Sequence, residues 1–285
     1  MTVAINTRAI AAAITSWSCA TLLLVGCGSQ TPTTPSQSGS FVLNGDVRLA
    51  YTLDVPAGTG PFPAIVVGHG SGRVTREQMA WFSERWTAQG FATLRFDKRG
   101  VGESTGTYSE VPAQTSSTLI PLLASDIAAA ARFLRGRQEI DPRRIGLAGV
   151  SQAGWILPHA ARDLGDVAFM VLWSGPVCTV GLENFYSSLA DGTSRPLDEV
   201  YALLPSFAGV PGYDPMPALE GNVAPALWLL GEEDRSIPVR TTLANLNTLK
   251  ASGKPYESRV YPGLGHNLSS SVWTDVAAWA ERFKR

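Results

Sequence analysis

Three residue types set the chemistry to look for: a serine at a tight turn, a histidine in a glycine-rich loop, and an acid after an apolar strand. Ser151 stands in Ile145-Gly146-Leu147-Ala148-Gly149-Val150-Ser151-Gln152-Ala153-Gly154, where an apolar strand passes into a helix. Small neighbours at Gly149, Ala153 and Gly154 suit a sharp turn that holds the serine in a strained backbone conformation. A serine hydroxyl is a poor nucleophile until a base takes its proton. The chain has three histidines. His159 falls inside the helix after Ser151 and reads as structural, and His69 precedes Gly70 just after an early strand. His266 lies in Tyr261-Pro262-Gly263-Leu264-Gly265-His266-Asn267, where an imidazole has little packing to do and is free to act as a base. An imidazole in that role needs an acceptor that fixes its tautomer and stabilises its charged form. Glu232, Glu233 and Asp234 follow the apolar run ending at Leu230, and a solvated charge cluster is the competing reading of that trio.

The segment around Ser151 resembles the nucleophile elbow of α/β-hydrolases. That family more often has glycine where Ala153 stands. Leu229–Pro238 is similar to the family's G-x-x-D-x-x-x-P stretch, which implies Asp234 as the acid, with Glu233 the alternative. The chain order Ser151, Asp234, His266 is the order of this fold. Gly68-His69-Gly70-Ser71-Gly72 resembles the family's oxyanion loop. The implied oxyanion donors are the backbone N–H of Gln152, at a helix N-terminus, and that of Ser71, with Gly72 the alternative. His69 then shapes the loop. Asp97-Lys98-Arg99-Gly100-Val101-Gly102-Glu103-Ser104 resembles the D-x-R-G-x-G-x-S stretch that packs a loop beneath the active site, which implies no catalytic role for it. The resemblance covers Phe41 to Arg285. It implies a serine hydrolase acting on small ester or acyl substrates without a metal or other cofactor, close in pattern to general esterases and dienelactone-hydrolase-like proteins. Serine at 151 argues against the cysteine nucleophile of true dienelactone hydrolases and the aspartate of dehalogenases and epoxide hydrolases. Peptidases and thioesterases share the same machinery. A non-catalytic ligand-binding module on the same fold is the rival of another class, and the presence of all three residues counts against it.

The elements that must position these residues alternate. Val47–Val55 has a period near two and reads as a half-exposed strand, with Phe41–Leu43 able to pair with it through Asn44-Gly45-Asp46. Ala64–Val67, Phe91–Phe96, Ile145–Ala148, Phe169–Trp173, Ala226–Leu230 and Glu257–Tyr261 read as strands. Thr75–Gln89, Leu122–Leu134, Gln152–Leu164, Val239–Ala251 and Val272–Phe283 read as helices. This alternation predicts an α/β fold, the α/β-hydrolase fold, with a mostly parallel mixed sheet covered by helices on both faces. Between Ser174 and Pro225 no strand is evident. Glu183–Leu189 and Pro196–Leu204 could be short helices of a small cap insertion, about residues 174–225, whose Leu, Phe, Tyr and Pro content would suit an apolar acyl group.

Ahead of this body stands an address. Residues 1–27 place Arg8 before an apolar run, and Leu24-Val25-Gly26-Cys27 resembles a bacterial lipobox, in which Cys27 is lipidated. Residues 28–40 read as a flexible Ser/Thr/Pro linker. The expected location is the bacterial cell envelope, exported and lipid-anchored to the membrane. With Cys19 removed and Cys27 acylated, Cys178 has no partner and reads as a small buried hydrophobe. The chain has 285 residues, 45% of them hydrophobic and 16% charged, with a formal net charge of -1. Such a chain can bury a sizeable core, and nothing in its charge points to nucleic acid.

Overall fold

Apolar runs with no polar alternation need cover on both faces, and that requirement organises the sheet. This computed structural model describes residues 35–43 and 46–284. The expected signal peptide, the lipidation at Cys27 and most of the linker lie outside the described residues. Strands β1 (Ser36–Val42), β2 (Arg48–Asp54), β3 (Phe62–Gly68), β4 (Ala92–Phe96), β5 (Ile140–Val150), β6 (Met170–Trp173), β7 (Ala226–Gly231) and β8 (Tyr256–Tyr261) form one sheet in the order β1-β2-β4-β3-β5-β6-β7-β8. β2 is antiparallel to β1 and β4, and the strands from β4 to β8 run parallel. Successive side chains of a strand face opposite ways. Thus Ala64, Val66, Trp228 and Leu230 join the core on one face, and Ile65, Val67, Leu227 and Leu229 join the core on the other.

Helices α1 (Ala80–Ala88), α2 (Ala113–Arg135), α3 (Ala153–Leu164), α4 (Val180–Ala190), α5 (Leu197–Leu203), α6 (Met216–Gly221), α7 (Val239–Ala251) and α8 (Trp273–Ala280) follow in chain order. The mostly parallel mixed sheet with helices is the α/β-hydrolase architecture expected from the alternation.

Several boundaries differ from expectation. β1 begins at Ser36, inside the segment read as linker up to residue 40. An edge strand is held by backbone pairing and tolerates an exposed polar face. Phe41 alone in it is buried, while Ser36 Oγ donates to Asp54 Oδ1 at 2.6 Å. β2 is buried on both faces rather than half-exposed: Leu49, Tyr51 and Leu53 join the core on one face, and polar groups on the other are satisfied internally. Asp54 Oδ2 accepts from Ser83 Oγ at 2.6 Å and Arg95 Nε at 3.1 Å. α2 starts nine residues before the expected Leu122, as Ala113 against Leu122 shows, and carries Pro121 inside it. Proline reads as a breaker from sequence. Here burial of Ser116, Ile120 and Ala124 and the bond from Tyr213 N–H to Ser116 Oγ (2.7 Å) hold the first half of the helix in place. Before α1, Glu77–Met79 is a 3₁₀ turn rather than α-helix, closed by Met79 N–H to Arg76 O at 3.2 Å.

Candidate active site

The turn from β5 into α3 puts Ser151 at φ +53°, in the left-handed region that side chains rarely adopt. Its surroundings enforce this. Ser151 N–H donates to Trp173 O at 2.7 Å and Ser151 O accepts from Gly154 N–H at 2.8 Å. A Cβ on Gly149 would come within 2.6 Å of Ala153 Cβ and 2.8 Å of Gly68 O, so β3, β5 and α3 converge here only because that residue is bare. Ala153, the departure from the family's glycine, is fully buried in this packing.

Asp234 sits after β7 with its side chain wholly shielded from solvent. Its Oδ1 accepts from the N–H groups of Ser236 and Ile237, both at 2.8 Å, and its Oδ2 meets His266 Nδ1 at 2.8 Å. Glu232 and Glu233 are exposed, so of the three acids Asp234 is the one directed at the histidine. The two loops can approach this closely because Gly231 has no side chain: a Cβ there would lie 2.3 Å from Gly265 O. Ser174, itself at φ +46°, donates from Oγ to His266 O at 2.8 Å and fixes the far side of the histidine loop. Burial opposes charge on His266, but the hydrogen bond and charge of Asp234, helped by Glu183, outweigh it and hold the imidazole above its ordinary value of 6.5.

Ser151 and His266 face the same space. One cavity of about 430 Å³ is lined by Gly70, Ser71, Trp81, Ser151, Trp173 and His266 among others. A second, of about 550 Å³, shares Ser71, Ser151 and His266 and extends along Gln152, Glu110, Glu183 and Asp191. The first side is aromatic and the second acidic. The Asp–His arm is closed, and among the described residues no hydrogen bond joins Ser151 Oγ to His266.

The backbone N–H groups of Ser71 and Gln152 make no hydrogen bond within the described residues, and both residues line the second cavity. Gly72 lines neither cavity. His69 is buried, with Nε2 against Phe96 O at 2.6 Å. Burial and nearby Lys98 push its pKa down to about 3, so it is a neutral donor shaping the loop. His159 is tied to Tyr213 Oη at 2.9 Å on α3, away from both cavities. Asp97 accepts from the backbone of Arg76 and Glu103, and Ser104 Oγ donates to Asp97 O at 2.8 Å, so that segment braces the loop. Cys178 is free and buried, and burial pushes its thiol up.

In the insertion, α4 reaches the site, through Glu183, Asn184 and Ser187, whereas α6 packs against α3. Tyr186 Oη donates to Asp234 O at 2.6 Å and couples α4 to the acid loop. Burial raises the Glu183 carboxyl to about 7. Sequence reasoning singled out neither Glu183 nor Ser174. The signal for Glu183 was available: an acid one helical turn from Thr179, the N-cap of a helix in an insertion.

The prolyl oligopeptidase family matches residues 76–283. The quorum-quenching protein AidA of Acinetobacter baumannii is 35% identical over 119 residues, 41% of this chain and 37% of that protein. The chain spans 35–38% of the length of the first curated relatives it matches. Among solved structures, the Pyrococcus furiosus esterase Pf2001 has a TM-score of 0.68 at 16% identity, covering 88% of this chain and 92% of that one. The Pyrococcus horikoshii acylaminoacyl peptidase has a TM-score of 0.65 at 20% identity, covering 90% of this chain and 42% of that one. At such identities the likeness to both structures is one of fold.

Proposed function

Because the chain belongs to the prolyl oligopeptidase family of α/β-hydrolases, we propose that it is a serine hydrolase that cleaves carboxylic esters through an acyl-enzyme on Ser151. The observation that carries this reading is the His266–Asp234 bond of 2.8 Å, opening onto the cavity that His266 shares with Ser151. His266 Nε2 takes the Ser151 proton as Oγ attacks the ester carbonyl carbon. The carbonyl electron pair moves onto oxygen, where the N–H groups of Ser71 and Gln152 receive it. Collapse expels the alkoxide, which takes the proton from Nε2. A water then gives its proton to His266 and attacks the acyl carbon, releasing the carboxylic acid and restoring Ser151.

A fluorophosphonate probe tests this directly. Mass spectrometry of the folded, labelled chain should find one adduct, on Ser151, and a folded chain that stays unlabelled there would remove the nucleophile. The family itself favours a second reading, amide cleavage. Higher kcat/KM on an acyl-alanine p-nitroanilide than on p-nitrophenyl butyrate would replace the ester reading with that one.

The pH profile follows from His266. It must be neutral to accept the proton, so kcat/KM falls on the acid side with a midpoint above pH 6.5. An anionic Glu183 helps to hold that proton on the imidazole. Glu183→Gln therefore lowers the His266 pKa and moves the acid limb to lower pH. An acid limb that does not move in E183Q would show that the two groups are uncoupled.

A further inference from the structure

Lys98 lies in the segment that braces the loop, yet its side chain does something the bracing does not need. It is 4% exposed, and its Nζ donates to Gly70 O at 2.5 Å, Gly72 O at 3.1 Å and Gln152 Oε1 at 3.1 Å. Three donors meet three neutral acceptors, and among the described residues no carboxylate pairs with this ammonium. Burying an ammonium without a counter-ion is costly, so its placement calls for a reason.

The acceptors supply one. Gly70 C=O and Ser71 N–H belong to the same peptide unit, which is planar and trans, so the two bonds point in opposite directions. An ammonium gripping the carbonyl turns the Ser71 N–H away from itself and polarises the unit, making that N–H a stronger donor. The same ammonium holds the side chain of Gln152, whose backbone N–H is the other donor without a protein acceptor. Lys98 lines neither cavity, so it reaches these units from behind rather than touching substrate.

We propose that Lys98 is a positioning residue for the oxyanion site: its ammonium clamps the Gly70–Ser71 peptide to Gln152 and aims both N–H groups at the reacting carbonyl oxygen. This rests on the acyl-enzyme reading of Ser151. The groups facing Lys98 are His69 from the loop after β3, Gln152 before α3, and Asp126 of α2, itself paired with Arg99. Glu110, ahead of α2, acts on it through charge. His69 is neutral throughout the working range, and Asp126 is raised to about 6 by burial despite Arg99. Burial, partly offset by Glu110, brings Lys98 down to about 8, so the clamp loses its charge and one donor above that pH.

The test compares full-length wild type, Ser151→Ala, Lys98→Met and Lys98→Arg on p-nitrophenyl butyrate, with inhibition by a trifluoromethyl ketone of the same acyl length. K98M should lose about 10²-fold in kcat with KM within about threefold, and the same factor in affinity for the ketone, whose hemiketal oxygen occupies the oxyanion site. Wild-type kcat should decline on the alkaline side with a midpoint near 8, and K98R, which stays charged, should lack that decline. If S151A collapses while K98M keeps wild-type kcat and ketone affinity, the clamp is overturned and the acyl-enzyme stands. If S151A itself keeps the wild-type rate, the reading beneath both is overturned. Should K98M not fold, Lys98→Gln is measured in its place, and wild-type kcat and ketone affinity in that variant overturn the proposal.

Discussion

Ser151→Ala should reduce kcat on p-nitrophenyl butyrate by about 10⁴–10⁶-fold, to the residual rate that binding and the oxyanion donors sustain without a nucleophile. The size of this effect comes from the division of labour in the site. Without Ser151, a water in the cavity would have to be oriented and activated without covalent help. The substitution should leave the fold intact. Ser151 Oγ makes no hydrogen bond within the described residues, so alanine orphans no buried partner, and the bonds that hold φ at +53° come from the backbone. The expected Tm lies within about 3 °C of wild type. A folded S151A with wild-type turnover would mean that the measured hydrolysis does not pass through this serine. A wild type with no turnover of esters or amides and no fluorophosphonate label would instead favour a binding module on a hydrolase fold.

The parts of this site that were legible from sequence are those fixed by local rules. Ser151 announces itself because a strand-to-helix turn at positive φ admits only small neighbours, and Gly149 and Gly154 are visible as letters. Asp234 and His266 lie in loops after β7 and β8, where polar and glycine residues interrupt apolar runs. The choice of Asp234 over Glu233 needed the family pattern at the sequence level. In the structure it reduces to burial, since the backbone N–H groups of Ser236 and Ile237 draw the Asp234 carboxylate inward and Glu233 points to solvent.

What was not legible depends on contacts between distant segments. The strand over Ser36–Val42 is polar and becomes a strand only because β2 offers an edge. The first half of α2 survives Pro121 because it is buried and because Tyr213, 97 residues on from Ser116, pins it through the bond from its N–H to Ser116 Oγ. Lys98 sits between a recognisable aspartate and a recognisable glycine, and nothing in its spacing reports that Gly70 and Gln152 converge on it. Ser174 and Glu183 belong to an insertion whose relation to His266 exists only in three dimensions. The proposed reaction class thus rests on short-range grammar, while the acidic wall of the site and the proposed oxyanion clamp rest on packing.

Asp234→Asn should be nearly as damaging as loss of the serine, with kcat down by about 10⁴-fold. One proton on the imidazole decides the outcome. In the native site Oδ2 accepts from His266 Nδ1–H, which leaves Nε2 bare and able to take the Ser151 proton. Asparagine keeps the shape, and its carbonyl oxygen can still accept from Ser236 and Ile237, which leaves the NH₂ facing Nδ1. A donor there makes Nδ1 the acceptor and moves the ring proton to Nε2, the side that must be empty. The same change removes the main contribution that raises the His266 pKa, so the residual activity of D234N should show its acid limb at lower pH than wild type. Glu233→Gln is the control: that side chain is exposed, and kcat should stay within about twofold. Equal kcat in D234N and wild type would reduce Asp234 to an anchor for its loop. A large loss in E233Q instead would transfer the orienting role to the neighbouring acid. The two substitutions lie one residue apart, so the contrast between them separates a tautomer effect from any general disturbance of the loop after β7.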